Sequence, residues 1–140
     1  MAKKLLIHSY RLHILLCVLF FGVHFKISAQ QSVPEFKDWI SFIEKSESKK
    51  LGASFSNMVA IELLSQKGNF NKTQAVMMLA DFFQNNPADS VRIRQQGTTG
   101  ANTSYFIGDY YSKSLTYYIY VVANKEKEKY YMHIFNIKRK

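Results

Sequence analysis

Along residues 34–138 the spacing of apolar side chains changes once, dividing the chain into a helical part and a stranded part. After Pro34, the residues Phe36, Trp39, Ile40 and Ile43 recur three and four positions apart, with Glu35, Lys37, Asp38, Glu44 and Lys45 between them. That period describes one face of an amphipathic helix, and Pro34 suits its first turn, where a missing N–H costs nothing. The polar stretch 46–50 ends this helix, and residues 51–55 are expected to add one short turn. Residues 58–65 are a short apolar run bounded by Asn57 and by Lys67-Gly68-Asn69, which predicts a strand. Asn71 is placed to cap a second long helix, with Gln74 three residues on as its reciprocal partner. Val76, Leu79 and Phe83 form its apolar stripe, widened by Ala75, Met78 and Phe82. Asn85-Asn86-Pro87 stops it, because the residue before a proline leaves the helical region.

From Asp89 onward the period is two. Residues 90–96, 103–112, 115–123 and 129–138 read as four successive strands. Their connections are Gly97-Thr98-Thr99-Gly100, a tight Lys113-Ser114 turn and the charged loop 124–128, all short enough to make neighbours antiparallel. Two helices, a lone strand and a four-stranded meander predict an α+β fold, with the helices packed on one face of a curved antiparallel sheet.

The residues before this pattern are of another kind. Lys3, Lys4 and Arg11 precede a twelve-residue apolar run over 14–25, and the segment closes on Ile27-Ser28-Ala29. That is the layout of a secretory signal peptide over residues 1–29, with a mature chain from Gln30. The run stops at Lys26, well short of the roughly 20 apolar residues that span a bilayer. Cys17 follows the bulky Leu16 and lies inside the run, which argues against lipidation. The expected destination is the periplasm or the exterior, with membrane contact only in transit. Residues 30–140 then make a single domain.

Composition gains meaning once this segment is set apart. The whole chain has 140 residues and a formal charge of +9, but four of its nineteen basic residues and none of its ten acidic ones lie in the first 26 positions. The remainder carries +5, and nucleic acid is not an expected partner of an exported domain. The single cysteine and three of the four histidines also fall in the leader. A disulfide scaffold, a cysteine nucleophile and a Cys/His metal site are thereby excluded from the mature chain, and no cofactor is expected. No glycine-rich phosphate loop precedes a helix, and no serine stands in a nucleophile elbow.

Three stretches resemble a known family: Phe70-Asn71-Lys72-Thr73-Gln74-Ala75 through Leu79, Asp81-Phe82-Phe83 and Asn86-Pro87; Tyr105 to Gly108 with Tyr117, Ile119 and Tyr120; and Lys129-Tyr130 through Ile137. They are similar to family 4783 of the domains of unknown function, small secreted bacterial proteins, and the likeness runs from about Phe36 to Lys138. The resemblance implies the cone-shaped fold of nuclear transport factor 2, shared with ketosteroid isomerase and with many non-catalytic domains. It brings no catalytic residues with it.

Candidate chemistry concentrates in the strands. All eight tyrosines of the mature chain lie between Tyr105 and Tyr131. Taken by parity without bulges, Tyr105, Ile107, Ile119, Val121, Phe135 and Ile137 are the core face. Phe106, Tyr110, Tyr118, Tyr120, Val122, Tyr130, Met132 and Ile134 then form an outer face too apolar for ordinary exposure. Tyr110, Tyr118, Tyr120, Tyr130 and Met132 are the expected homodimer interface. Trp39, Tyr105, Asp109, Tyr117, His133 and Phe135 are the candidates for lining a pocket inside the cone. His133 is the only histidine after the leader, and Asp109 shares its parity on a nearby strand. Together they define the enzymatic alternative, proton transfer of the isomerase or dehydratase type. The favoured reading is a non-enzymatic exported domain that binds a small apolar ligand or a protein partner such as an envelope protein.

Overall fold

A computed structural model describes residues 33–140; the leader and the expected mature start at Gln30 lie outside the described residues. Helix α1 spans Pro34–Glu44, with Pro34 in its first turn and Phe36, Trp39 and Ile43 buried. A five-residue helix, α2 (Ser48–Gly52), follows, beginning inside the polar stretch and three residues before the short turn expected over 51–55, and buries Leu51. Strand β1 (Phe55–Leu63) begins three residues before the expected apolar run and pairs antiparallel with β2 (Gln66–Asn71). Helix α3 (Lys72–Asn85) carries the expected capping box, in which the Asn71 side chain accepts from the Gln74 N–H and the Gln74 side chain from the Asn71 N–H. Four strands complete the chain: β3 (Ser90–Thr99), β4 (Thr103–Ser112), β5 (Leu115–Glu126) and β6 (Lys129–Arg139).

All six strands form one sheet in the order β2-β1-β6-β5-β4-β3. Five neighbouring pairs give four antiparallel ladders and one parallel ladder, β1 with β6. Two expectations are corrected here. The strand before α3 is not alone, because Lys67, Gly68 and Asn69, read as a boundary, belong to β2. That strand is an exposed edge with Phe70 as its one large apolar residue, so it leaves no apolar alternation to detect. The sheet is also mixed rather than wholly antiparallel, because the chain crosses over between β1 and the C-terminal meander.

The three helices cover one face. Phe36 meets Phe106 edge to face at 5.1 Å between ring centroids, and Phe82 packs on both Tyr110 and Tyr117 at 5.7 and 6.1 Å. Ile119, Val121, Phe135 and Ile137 complete the buried sheet surface, as parity predicted for β5 and β6. On β4 the parity is inverted: Phe106 and Tyr110 are fully buried, while Tyr105 and Ile107 face the other way. The cause is the two-residue turn. Ser112 pairs with Leu115, so each partner across β4 and β5 has opposite parity, and directly paired side chains share a face. Met132, read as outward, is also buried, because a bulge shifts the phase of β6.

Gly108 marks a second packing limit. A Cβ there would come within 2.5 Å of the Arg92 carbonyl oxygen on β3, so only glycine lets the strands approach at that point. Phe83 is 1% exposed and stacks on Tyr110 with rings 10° from parallel. Phe83→Ala is therefore expected to cost about 3–5 kcal/mol in urea denaturation. An unchanged midpoint would show that α3 does not bury this face.

Candidate functional site

The space between helices and sheet is occupied by side chains. Tyr110 and Tyr117 are paired across β4 and β5, and both reach the end of α3. The Tyr110 hydroxyl donates to the Asn86 carbonyl oxygen, and the Tyr117 hydroxyl donates to Asn86 Oδ1 at 3.0 Å. Asn86 Nδ2 in turn donates to the Phe82 carbonyl at 3.2 Å, closing the last turn of α3. Burial pushes the Tyr110 hydroxyl above the ordinary phenol range, so it stays a neutral donor. Trp39, Tyr117 and Phe135, expected to line a pocket, are core residues, each at most 2% exposed.

Among the described residues no helix lies over the opposite face of the sheet. Register places Tyr118 beside Asp109 and Lys138, Tyr120 beside Ile107 and Asn136, and Val122 beside Tyr105 and Ile134. Tyr118 is 51% exposed and Tyr120 36%. Of the five residues expected at an interface, these two are available. Tyr110 and Met132 are in the core, and Tyr130 packs against its margin.

Asp109 is the one buried carboxylate among the described residues, and it lies on this open face. Its cover is a single layer of cationic and phenolic side chains. Oδ2 accepts from Arg94 Nε at 2.5 Å, from Arg94 Nη2, and from the Tyr111 hydroxyl at 3.3 Å. Oδ1 accepts from Lys140 Nζ at 2.9 Å, and the same ammonium stands 4.8 Å from the centre of the Tyr118 ring. The hydrogen bond from Lys140, then the one from Arg94, holds the carboxyl below the usual carboxylate range against the opposing effect of burial. Arg94 was not legible as a partner, because it is the extra residue of a bulge: Ile93 pairs with Gly108 and Gln95 with Ile107.

His133 is likewise a bulge residue, between Met132 opposite Ala123 and Ile134 opposite Val122. The carboxylate beside it is that of Glu126, with Oε1 3.4 Å from Nε2, rather than Asp109. The structure therefore does not bring the His133–Asp109 pair together, since Asp109 is taken up by Arg94, Tyr111 and Lys140. The six pocket candidates divide three ways: Trp39, Tyr117 and Phe135 in the core, Tyr105 and Asp109 on the open face, and His133 at the bulge. His133 borders a cleft of about 560 Å³ whose lining also includes Phe55, Met58, Lys72, Glu126 and Tyr131. Among the described residues no three His, Cys, Asp or Glu side chains cluster as metal ligands. No helix among them is long and apolar enough to cross a membrane.

Residues 36–138 match the model of a family described as domain of unknown function 4783. The chain belongs to this family. A family protein from Bacteroides uniformis ATCC 8492 superposes with a TM-score of 0.70 at 21% identity, covering 78% of this chain and 98% of that one. One from Bacteroides ovatus ATCC 8483 gives 0.67 at 19% identity, covering 72% and 91%. A protein of unknown function from Nostoc punctiforme PCC 73102, described as having a cystatin-like fold, gives 0.59 at 9% identity over 73% and 83%. No curated protein matches the chain. The nuclear transport factor 2-like fold implied by the family's motifs is the fold observed, with its helix-covered side filled.

The depressed Asp109 carboxyl has a pH signature. A group whose folded pKa lies below its unfolded one adds stability above the unfolded value and loses it as pH falls through the folded value. Asp109→Asn should accordingly lower the urea midpoint at neutral pH. The gap to wild type should narrow as pH falls below the ordinary aspartate value of about 3.9 and the wild-type carboxyl is protonated in its turn. A gap of constant size across that range would show that the ion cluster contributes nothing.

Proposed function

We propose that this protein is an exported, non-enzymatic binding module that self-associates through the open face of its sheet. The observation that carries this reading is the contrast between the two faces. The helix-covered side is closed by Tyr110, Tyr117, Phe82 and Phe83, whereas Tyr118 and Tyr120 stand exposed among Tyr105, Ile107, Val122 and Ile134 on the other. A filled cone supports a protein partner over an apolar ligand held beneath the helices.

A second copy fits the dimensions. Five strands from β3 to β1, about 4.8 Å apart and about ten residues long, present a face of about 800 Å². That is roughly what one partner contributes to a stable interface. Tyrosine serves such a surface well, since its ring is apolar and its hydroxyl tolerates water at the rim. A two-fold axis in the contact plane, parallel to the sheet, would make the contact self-complementary and set tyrosine against tyrosine. Export rests on the leader: a basic start, a twelve-residue apolar run and a small residue at position 29.

Sedimentation at micromolar concentration tests the association. Wild type is expected to be a dimer, and Tyr118→Lys combined with Tyr120→Lys a folded monomer with an unchanged far-ultraviolet spectrum. A monomeric wild type, or a double variant that still dimerises, would overturn the reading.

A further inference from the structure

The cleft beside His133 belongs neither to the filled core nor to the tyrosine patch. At about 560 Å³ it has the size of a small-molecule site. It opens where the sheet is interrupted. β1 and β6 lose register between Phe55 and Ala60, β5 and β6 lose it between Val122 and Ala123, and His133 is the unpaired residue of β6 at both breaks. The Ser56 hydroxyl donates to the Met132 carbonyl at 3.0 Å and so holds β1 against β6 at the edge of the gap.

The polar groups around this cleft are not satisfied by one another. His133 Nε2 is shut off from solvent and makes no hydrogen bond, and the Glu126 carboxylate at 3.4 Å is too far for a good one. A buried polar atom in that condition calls for a partner. Lys72 and Glu126 carry opposite charges and border the same cleft, yet they do not pair with each other; among the described residues Glu126's one ion contact is His133, and Lys72 has none. Opposite charges held apart across a gap match a ligand that carries both. Met58 and Tyr131 supply the apolar part of the wall.

We propose that this cleft binds a free α-amino acid with an apolar side chain. Its carboxylate meets Lys72. Its ammonium donates to Glu126, the carboxylate that stands 3.4 Å from His133 Nε2. Its side chain lies against Met58 and Tyr131. A simple anion would face Glu126 and a divalent cation would face Lys72, so neither completes the site as a zwitterion does.

Isothermal titration of the full chain with L-phenylalanine, N-acetyl-L-phenylalanine and L-phenylalaninamide tests the assignment. L-Phenylalanine should bind saturably, and each blocked analogue should bind at least about tenfold more weakly. Lys72→Met should abolish the preference over the amide, and Glu126→Gln the preference over the N-acetyl form. The wild-type series decides the matter even if a variant fails to fold. No saturable binding of L-phenylalanine, L-leucine or L-methionine would overturn the proposal. So would equal binding of the blocked forms, preference for the N-acetyl anion, or saturable binding of Zn²⁺ alone.

Discussion

Two phenols beneath the end of α3 fix the arrangement of the rest of the molecule. Tyr110 and Tyr117 can both donate to Asn86 only if they sit side by side on one face of β4 and β5. The Lys113-Ser114 turn enforces that register, with Lys113 in the left-handed region at φ 54°. A buried hydroxyl left without its acceptor costs about 1–3 kcal/mol, so any slip of the hairpin would strand two donors in an apolar layer. A slip of one residue would also turn Phe106 and Tyr110 outward and Ile107 and Asp109 inward. Helix, turn and sheet register are thus one interlocked choice.

The character of each face follows from it. Under the helices, Phe82, Phe83, Tyr110 and Tyr117 form one aromatic cluster and Phe36 with Phe106 a second contact. On the far face the same register lines up Asp109, Tyr118 and Lys138 across three strands. The Arg94 bulge then delivers a guanidinium to the carboxylate. Ion pairing on this face is local and thinly covered, with Lys138 bonded to Glu62 at 2.9 Å and Lys140 to Asp109 at 2.9 Å. Such a rim around exposed tyrosines suits a surface that is buried only on association.

Much of this was legible in the residues. Pro34, the Asn71–Gln74 capping box and Asn86-Pro87 mark helix ends by backbone chemistry that operates locally, and α1 and α3 lie where those signals put them. The strands of the meander were legible from their period. The faces of β5 and of Phe135 and Ile137 were legible too, but those of β4 and of Met132 were not, for two separate reasons. The inverted parity of β4 was implicit in the two-residue turn. The bulges at Arg94 and His133 depend on pairing between distant strands and leave no mark on either sequence alone. Bulges also explain the candidate site. The two side chains that approach a carboxylate out of phase, Arg94 and His133, are both bulge residues that the ladders leave unpaired. β2 escaped notice because an edge strand with little apolar content resembles a turn.

The most direct test of this account is the relative reactivity of the eight strand tyrosines toward nitration, mapped by mass spectrometry in protein dilute enough to be dissociated. Tyr118 and Tyr120 are expected to react fastest, while Tyr110 and Tyr117 remain protected until the protein unfolds. If Tyr110 or Tyr117 reacted as readily as Tyr118 in the folded protein, the two phenols could not lie beneath α3, and the assignment of a filled face and an open face would be contradicted.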